Sequence, residues 1–256
     1  MELFDSHAHY NDEKFDNDRE EIIQKIYDLG VTTLVNAGYS LESSKKAIEI
    51  ANKHSFIYAT VGVSPNDIDN LNVDYIKQIE NMANEKKVVA IGEIGLDYYW
   101  NKENKEEQKK IFCEQIELAN KLNKPIVIHT REAVMDTLDI LKNKVEAKQK
   151  GVFHCCPLNP ELVKEALKLG FYISFAGPVT FKSSKNAEDV VKLVPVDKIL
   201  IETDSPYLSP EPVRGTRNDS RNVIHIAEKI ACIRGITLEE IANITFKNAK
   251  SIFKID

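Results

Sequence analysis

The sequence predicts an α/β fold, a single-domain (β/α)8 TIM barrel, and three observations carry that reading. The first is alternation: short β-branched or apolar runs and helix-period stretches follow one another at repeats of roughly 25 to 35 residues. The second is length, since 256 residues match the roughly 250 of a one-domain barrel and can bury a large core. The third is polarity at the ends of the runs, where His, Asp, Glu or Gly recur, as expected of strands that deliver side chains to a shared mouth. An open doubly wound sheet is the other arrangement that alternation allows, but no Gly-x-Gly-x-x-Gly follows any run. One barrel over 1–256 is therefore expected.

Taken in order, Leu3 to His9 reads as strand one, and Ile22, Ile23, Ile26 and Leu29 share a helical face before Gly30. Thr32 to Gly38 is strand two, and Ser40 can cap the helix that carries Ala47, Ile48 and Ala51. Phe56 to Val63 is strand three, followed by a helical segment within Ile68 to Ala83. The run from Val88 closes strand four on Glu93, a carboxylate between Gly92 and Gly95. Asn104 resembles an N-cap for a long helix with Ile111, Ile116, Ala119 and Leu122 inward, and Pro125 restarts extended structure. Ile126 to His129 is strand five, Arg131 to Leu141 is helical, and Gly151 to Cys155 is strand six. Asn159 and Pro160 open the next helix and Gly170 ends it, before strand seven at Phe171 to Gly177. Ile199 to Asp204 is strand eight; helices over Asn222 to Ile233 and from a Thr237/Glu240 capping box complete the chain.

Composition narrows the function classes. Hydrophobic residues make up 43% and charged residues 29%, ordinary for a folded globular chain. A net charge of -6 supplies no global basic field toward nucleic acid or an anionic membrane, so any phosphate recognition must be local. The N-terminus reaches acids and histidines at once, unlike a secretory signal, and no apolar run is long enough to span a bilayer. Cys113, Cys155, Cys156 and Cys232 form no Cys-x-x-Cys pair, so reduced thiols in a cytoplasmic protein are expected.

The polar strand ends are His7 and His9, Glu93, His129, His154 and Asp204. His7 and His9 lie two apart on a strand and so point to one face, a chelating arrangement. A His-x-His pair is a weak signal alone, and single histidines are ordinarily satisfied core or rim residues. Four imidazoles and two carboxylates converging on one mouth instead indicate a metal site. Such ligands without thiolate suit Zn, Mn, Fe, Co or Mg, and they outnumber what one tetrahedral ion takes, which points to two divalent metal ions. A carboxylate bridging ions about 3.5 to 4 Å apart would complete a pair able to polarise a phosphoryl oxygen and activate water; Glu93, from the middle strand, is the natural bridge. His54 and His225 read as surface or packing residues. Tyr98, Tyr99 and Trp100 are either loop packing or a platform for nucleobases, and Arg131, Arg214, Arg217 and Arg221 are either solvated or phosphate contacts.

Asp5-Ser6-His7-Ala8-His9, Gly92-Glu93-Ile94-Gly95-Leu96-Asp97-Tyr98, Ile128-His129-Thr130-Arg131, His154-Cys155 and Glu202-Thr203-Asp204-Ser205-Pro206-Tyr207-Leu208 occur in that order. Together they resemble the TatD family of metal-dependent deoxyribonucleases, within the amidohydrolase-like barrels. Arg214-Gly215, Asn218 and Asn248-Ala249 also look family-like, so the resemblance runs nearly the whole length. It implies a two-metal hydrolase of DNA phosphodiesters, often acting from a 3' end, with Mg or Mn, or else Zn, as the ions. By position, His7, His9, Glu93 and Asp204 would bind one ion, and Glu93, His129 and His154 the other. Asp204 would also orient or deprotonate the attacking water, with Glu202 supporting from behind. Tyr98, Arg131 and Arg214 are the substrate contacts this expectation names, with single-stranded or frayed DNA as substrate, no membrane partner and a monomer sufficient.

The chain departs from the family pattern at three places. Ser64 precedes Pro65 where the family often has His, Cys156-Pro157-Leu158 replaces a common Phe-Ser-Gly, and Ser220 stands where a proline is common. The departures fall in substrate-facing loops. They leave room for an alternative, a small-molecule hydrolase of amides, lactones or phosphoesters in the same superfamily. A non-catalytic barrel using metals for stability is the third reading, and the intact set of six ligands speaks against it.

Overall fold

Eight parallel strands, each hydrogen-bonded to the next in sequence order, wrap into a nearly closed barrel: β1 (Leu3–Ala8), β2 (Val31–Ala37), β3 (Ile57–Val61), β4 (Val88–Asp97), β5 (Ile126–Arg131), β6 (Gly151–Phe153), β7 (Tyr172–Phe175) and β8 (Ile199–Ile201). Helices α1 (Arg19–Asp28), α2 (Leu41–Lys53), α3 (Tyr75–Ala83), α4 (Lys105–Leu122), α5 (Val134–Asp139), α6 (Pro160–Lys168), α7 (Ala187–Leu193), α8 (Val223–Arg234) and α9 (Leu238–Phe253) alternate with them. This computed structural model describes residues 1–69 and 71–255; Asn70 and Asp256, inside the expected 1–256 span, lie outside the described residues. No helix among them is long and apolar enough to cross a membrane.

Local sequence sets the helix starts. The Ser40 hydroxyl accepts from the Ser43 N–H and is answered by the Ser43 side chain, Asn159 accepts from the N–H groups of Glu161 and Leu162 ahead of Pro160, and Thr237 with Glu240 closes a capping box. Asn104 is a correction: its side chain caps no N–H of α4, and its amide oxygen accepts from Gln108 Nε2 at 2.8 Å. Arg131 is a second, because it ends β5, and α5 starts only at Val134 before passing into a π turn at Ile140–Lys144. Strand ends also differ from the sequence expectation. β4 continues past Glu93 to Asp97, while β1, β6 and β8 stop short of His9, His154 and Asp204, which sit on the first residues of the loops.

The core has two layers. Outside the barrel, apolar faces of strands and helices pack against each other. Inside, one side chain from each strand, Phe4, Val35, Tyr58, Ala90, Val127, Val152, Tyr172 and Leu200, meets Phe246, Ala249, Ile252 and Phe253 of α9. Burial of such side chains stabilises by about 1.5 to 3 kcal/mol each for the larger ones. α9 therefore fills one end of the barrel, and the C-terminal ends of the strands are left as the open mouth.

Two irregularities decide what faces that mouth. The β1–β2 register shifts between Asp5 and Ala8, and the β4–β5 register shifts between Ile91 and Ile94. Strict alternation from the inward Ala90 would turn Gly92 inward and Glu93 out. The shift reverses this, so Ile91, Ile94 and Leu96 pack outward while Glu93 joins the interior, as bulges beside active sites commonly re-aim a side chain. Gly95 keeps the strand close to β5 there: a Cβ at that position would overlap the His129 carbonyl oxygen, and its φ of +145° suits glycine. At the last seam, the Asp204 N–H donates to His7 O at 2.9 Å, the His9 N–H to Ser205 O at 2.7 Å, and the Thr203 N–H to the Asp5 carboxylate at 2.9 Å. These bonds tie the first strand to the loop after the last.

Candidate metal centre

All six ligand candidates converge. Glu93 turns one carboxylate oxygen to each side: Oε2 lies 3.4 Å from His7 Nε2 and 3.6 Å from His9 Nε2, and Oε1 lies 3.1 Å from His129 Nδ1 and 3.5 Å from His154 Nε2. Asp204 Oδ1 is 3.2 Å from His9 Nε2 and 3.7 Å from His7 Nε2. Two imidazole pairs also face each other nitrogen to nitrogen, His7 with His9 at 3.1 Å and His129 with His154 at 3.2 Å. Facing lone pairs repel unless a proton or a cation lies between them. The buried sets His7, His9, Asp204 and His7, Glu93, His154 each place their donor atoms within 4.8 Å of one another, and oxygen and imidazole donors without thiolate suit divalent ions such as Mg, Mn or Zn. The donor set fits metal.

Three of the four histidines are held from behind. His9 Nδ1 lies 3.0 Å from the Ala37 carbonyl, His129 Nε2 2.9 Å from Asp97 Oδ2, and His154 Nδ1 3.3 Å from Glu202 Oε1. Glu202 thus stands behind His154 rather than beside Asp204, and the same oxygen accepts the Cys155 N–H at 2.6 Å. Asp97 has no role in the sequence reading, although the argument used for His7 and His9 reaches it: Glu93, Gly95 and Asp97 are spaced by two along one strand.

Burial and charge oppose each other here. Burial pushes the Glu93 carboxyl up, but the neighbouring His154 charge and hydrogen bonds from His129, His154 and His7 hold it well below the usual carboxylate range. Burial likewise opposes the lowering of Asp204 by its His9 hydrogen bond. His154 stands well above the ordinary imidazole value, against burial, because Glu93 and Glu202 flank it; His7 is pushed down by burial and by the charge of His154. Burial raises the Cys155 thiol.

Around these groups a cavity of about 680 Å³ is lined by Tyr39, Ser64, Asp67, Trp100, Arg131 and Tyr207 among others. Arg131 lies over the Tyr99 ring at 3.7 Å, on the wall of the cavity. Two substrate contacts expected from the sequence are not found there. Tyr98 is 6% exposed, with its hydroxyl donating to Asp136 at 2.7 Å, because the residue after β4 turns back under α5; Trp100, 68% exposed, is the aromatic that borders the cavity. Arg214 lies over the Phe181 ring at 3.9 Å and is not among the residues lining the cavity, while Arg217 pairs with Asp18 and Arg221 with Asp219. His54 and His225 bond to Glu20 and Glu228 at the surface, as their sequence positions imply.

The family described as TatD related DNase matches residues 4–254. A Bacillus subtilis relative called an uncharacterized metal-dependent hydrolase, YabD, is 43% identical over 99% of this chain and 100% of its own length. A Shigella flexneri relative named a 3'-5' ssDNA/RNA exonuclease, TatD, is 31% identical over 99% of each chain. In fold, the crystal structure of the Escherichia coli K12 TatD homologue YjjV superposes with a TM-score of 0.93 at 24% identity, covering 99% of this chain and 98% of that one. With the ligand cluster at the barrel mouth and the match over nearly the whole length, the chain belongs to the TatD family and is a metal-dependent hydrolase.

Proposed function

We propose that the chain hydrolyses phosphodiester bonds of DNA as a 3'-5' exonuclease on single-stranded or frayed ends, with two divalent ions held side by side. The observation that carries this reading is Glu93, whose two oxygens serve two separate histidine pairs. His7, His9, Asp204 and Glu93 Oε2 would hold one ion, and His129, His154 and Glu93 Oε1 the other. Such a pair, when bound, supplies Lewis acidity toward a phosphoryl oxygen and acidifies water. Asp204, whose carboxyl the His9 hydrogen bond lowers against burial and which borders the cavity, would accept the proton that water gives up. Arg131 supplies the local positive charge that the net charge does not, and Trp100 offers an exposed face for an unpaired base. The match to a family of DNases and the exonuclease named among the relatives support the substrate class. A cytoplasmic monomer is sufficient for this chemistry.

Purified protein with Mg or Mn should shorten 3'-labelled and 5'-labelled single strands with the asymmetry of 3' attack, and an RNA arm reads sugar preference. Intact strands beside an active control overturn the proposal. A small-molecule substrate is the second reading, favoured by Ser64, Asn66 and Asp67 on the cavity wall, which offer hydroxyl, amide and carboxylate groups rather than cations. A panel of lactones and phosphotriesters separates the two.

A further inference from the structure

Asp97 ends β4 two residues beyond Gly95, wholly buried, with both oxygens engaged. Oδ1 accepts the N–H groups of Tyr99 at 2.9 Å and Trp100 at 3.3 Å; Oδ2 accepts from Asn66 Nδ2 at 3.3 Å and lies 2.9 Å from His129 Nε2. An ionised carboxylate has only acceptors to offer, so the imidazole proton must sit on Nε2. That leaves Nδ1, 3.1 Å from Glu93 Oε1 and 3.2 Å from His154 Nε2, with its lone pair directed into the cluster. His9 has a neutral carbonyl in the corresponding place, and the carboxylate behind His154 is longer by 0.4 Å, at 3.3 Å against 2.9 Å.

We propose that Asp97 is a positioning residue: it fixes His129 as the Nε2–H tautomer with Nδ1 free to ligate, and it joins that ligand to the turn that presents Trp100 to the cavity. The inference rests on the two-ion reading of the centre. Carboxylates behind metal-binding histidines set the tautomer and raise ligand basicity, and their removal weakens metal binding by roughly 10- to 100-fold. In Asp97→Asn the two backbone donors of the turn keep the amide oxygen facing them. The amide nitrogen then faces His129 Nε2 as a donor, which drives the imidazole proton to Nδ1 and blocks the ligating position.

The test uses full-length protein stripped of metal and labelled with 15N-histidine. Long-range 1H–15N spectra are recorded at a pH where the imidazoles are neutral, with His129 assigned by its loss in His129→Gln. The wild type should show the Nε2–H tautomer at His129 and Asp97→Asn the Nδ1–H tautomer. Calorimetric titration with Mn should show one of two binding events weakened about 10- to 100-fold in Asp97→Asn and the other unchanged. Asp136→Asn, which loses a carboxylate bonded to Tyr98 rather than to a ligand histidine, should leave both events as they are. An Nδ1–H tautomer in the wild type, or an Asp97→Asn protein with wild-type tautomer and affinities, overturns the proposal. If Asp97→Asn does not fold, the wild-type spectrum decides alone. A wild type that takes up no Mn defeats the two-ion reading and, with it, the ligating role given to His129, while the spectrum still reports whether Asp97 sets the tautomer.

Discussion

The two roles proposed for Asp204 are ones that a single substitution can separate from folding. Its backbone lies at φ +55°, a region that asparagine tolerates as readily as aspartate, so Asp204→Asn should keep the chain path while halving the acceptor capacity at the cluster. Turnover of a single-stranded substrate should fall by about 10²- to 10⁴-fold, while the unfolding free energy of metal-free protein in urea changes by only about 1 kcal/mol, the net worth of one hydrogen bond. A comparable loss of stability in the metal-free protein would instead give Asp204 a structural role in the fold. The departures from the family pattern also find partners at this scale. Ser64 Oγ donates to Asp67 at 2.8 Å, fixing a carboxylate on the cavity wall. The Ser220 N–H donates to the Tyr10 hydroxyl at 2.9 Å, a bond proline lacks the hydrogen to make.

At the scale of elements, the seam between β1 and the loop after β8 is fastened by a side chain as well as by main chain. Asp5 takes the Thr203 N–H at 2.9 Å and the Thr203 hydroxyl at 2.5 Å, and burial pushes its carboxyl up to about 7. The folded chain therefore holds a proton that the unfolded chain has released above the ordinary aspartate value of about 4. By linkage this contribution is full at low pH and is lost as pH rises through the interval between the two values. Metal-free protein should lose part of its stability between about pH 4 and 7 in denaturant titrations, and Asp5→Asn should flatten that slope; an unchanged slope would remove Asp5 as its source. The seam explains what could be read in advance and what could not. Capping residues such as Ser40, Asn159 and Thr237 act within one turn of chain and were legible. The inward placement of Glu93 was legible from chemistry alone, since alternation counted along β4 points it away from the interior until the register shift turns it back. Tyr98 and Trp100 are two residues apart in one loop, and that Trp100 rather than Tyr98 borders the cavity goes with Asp136, a residue that sequence spacing does not bring to mind.

For the whole molecule, the (β/α)8 architecture was legible because its signal is repeated eight times, so single errors at strand ends do not disturb it. What repetition could not show is how the barrel ends are filled. Phe253 stacks on Phe4 with ring centroids 6.2 Å apart and is 2% exposed, which places it deep in the plug that α9 makes. Phe253→Ala should lower unfolding free energy by about 3 to 5 kcal/mol in urea, yet leave kcat of the folded fraction near wild type, because the plug and the cavity share no lining residue among those described. A proportionate loss of kcat would show that the plug reaches the site. The seam has a further meaning for the life of the chain as it emerges. Of the six candidates His7 and His9 are made first and Asp204 last, so for most of synthesis the histidines exist without the carboxylate that lies beside them once the barrel shuts. On the proposed two-ion reading, a nascent chain would hold an incomplete set of ligands, and full metal uptake would mark that the final strand has found the first.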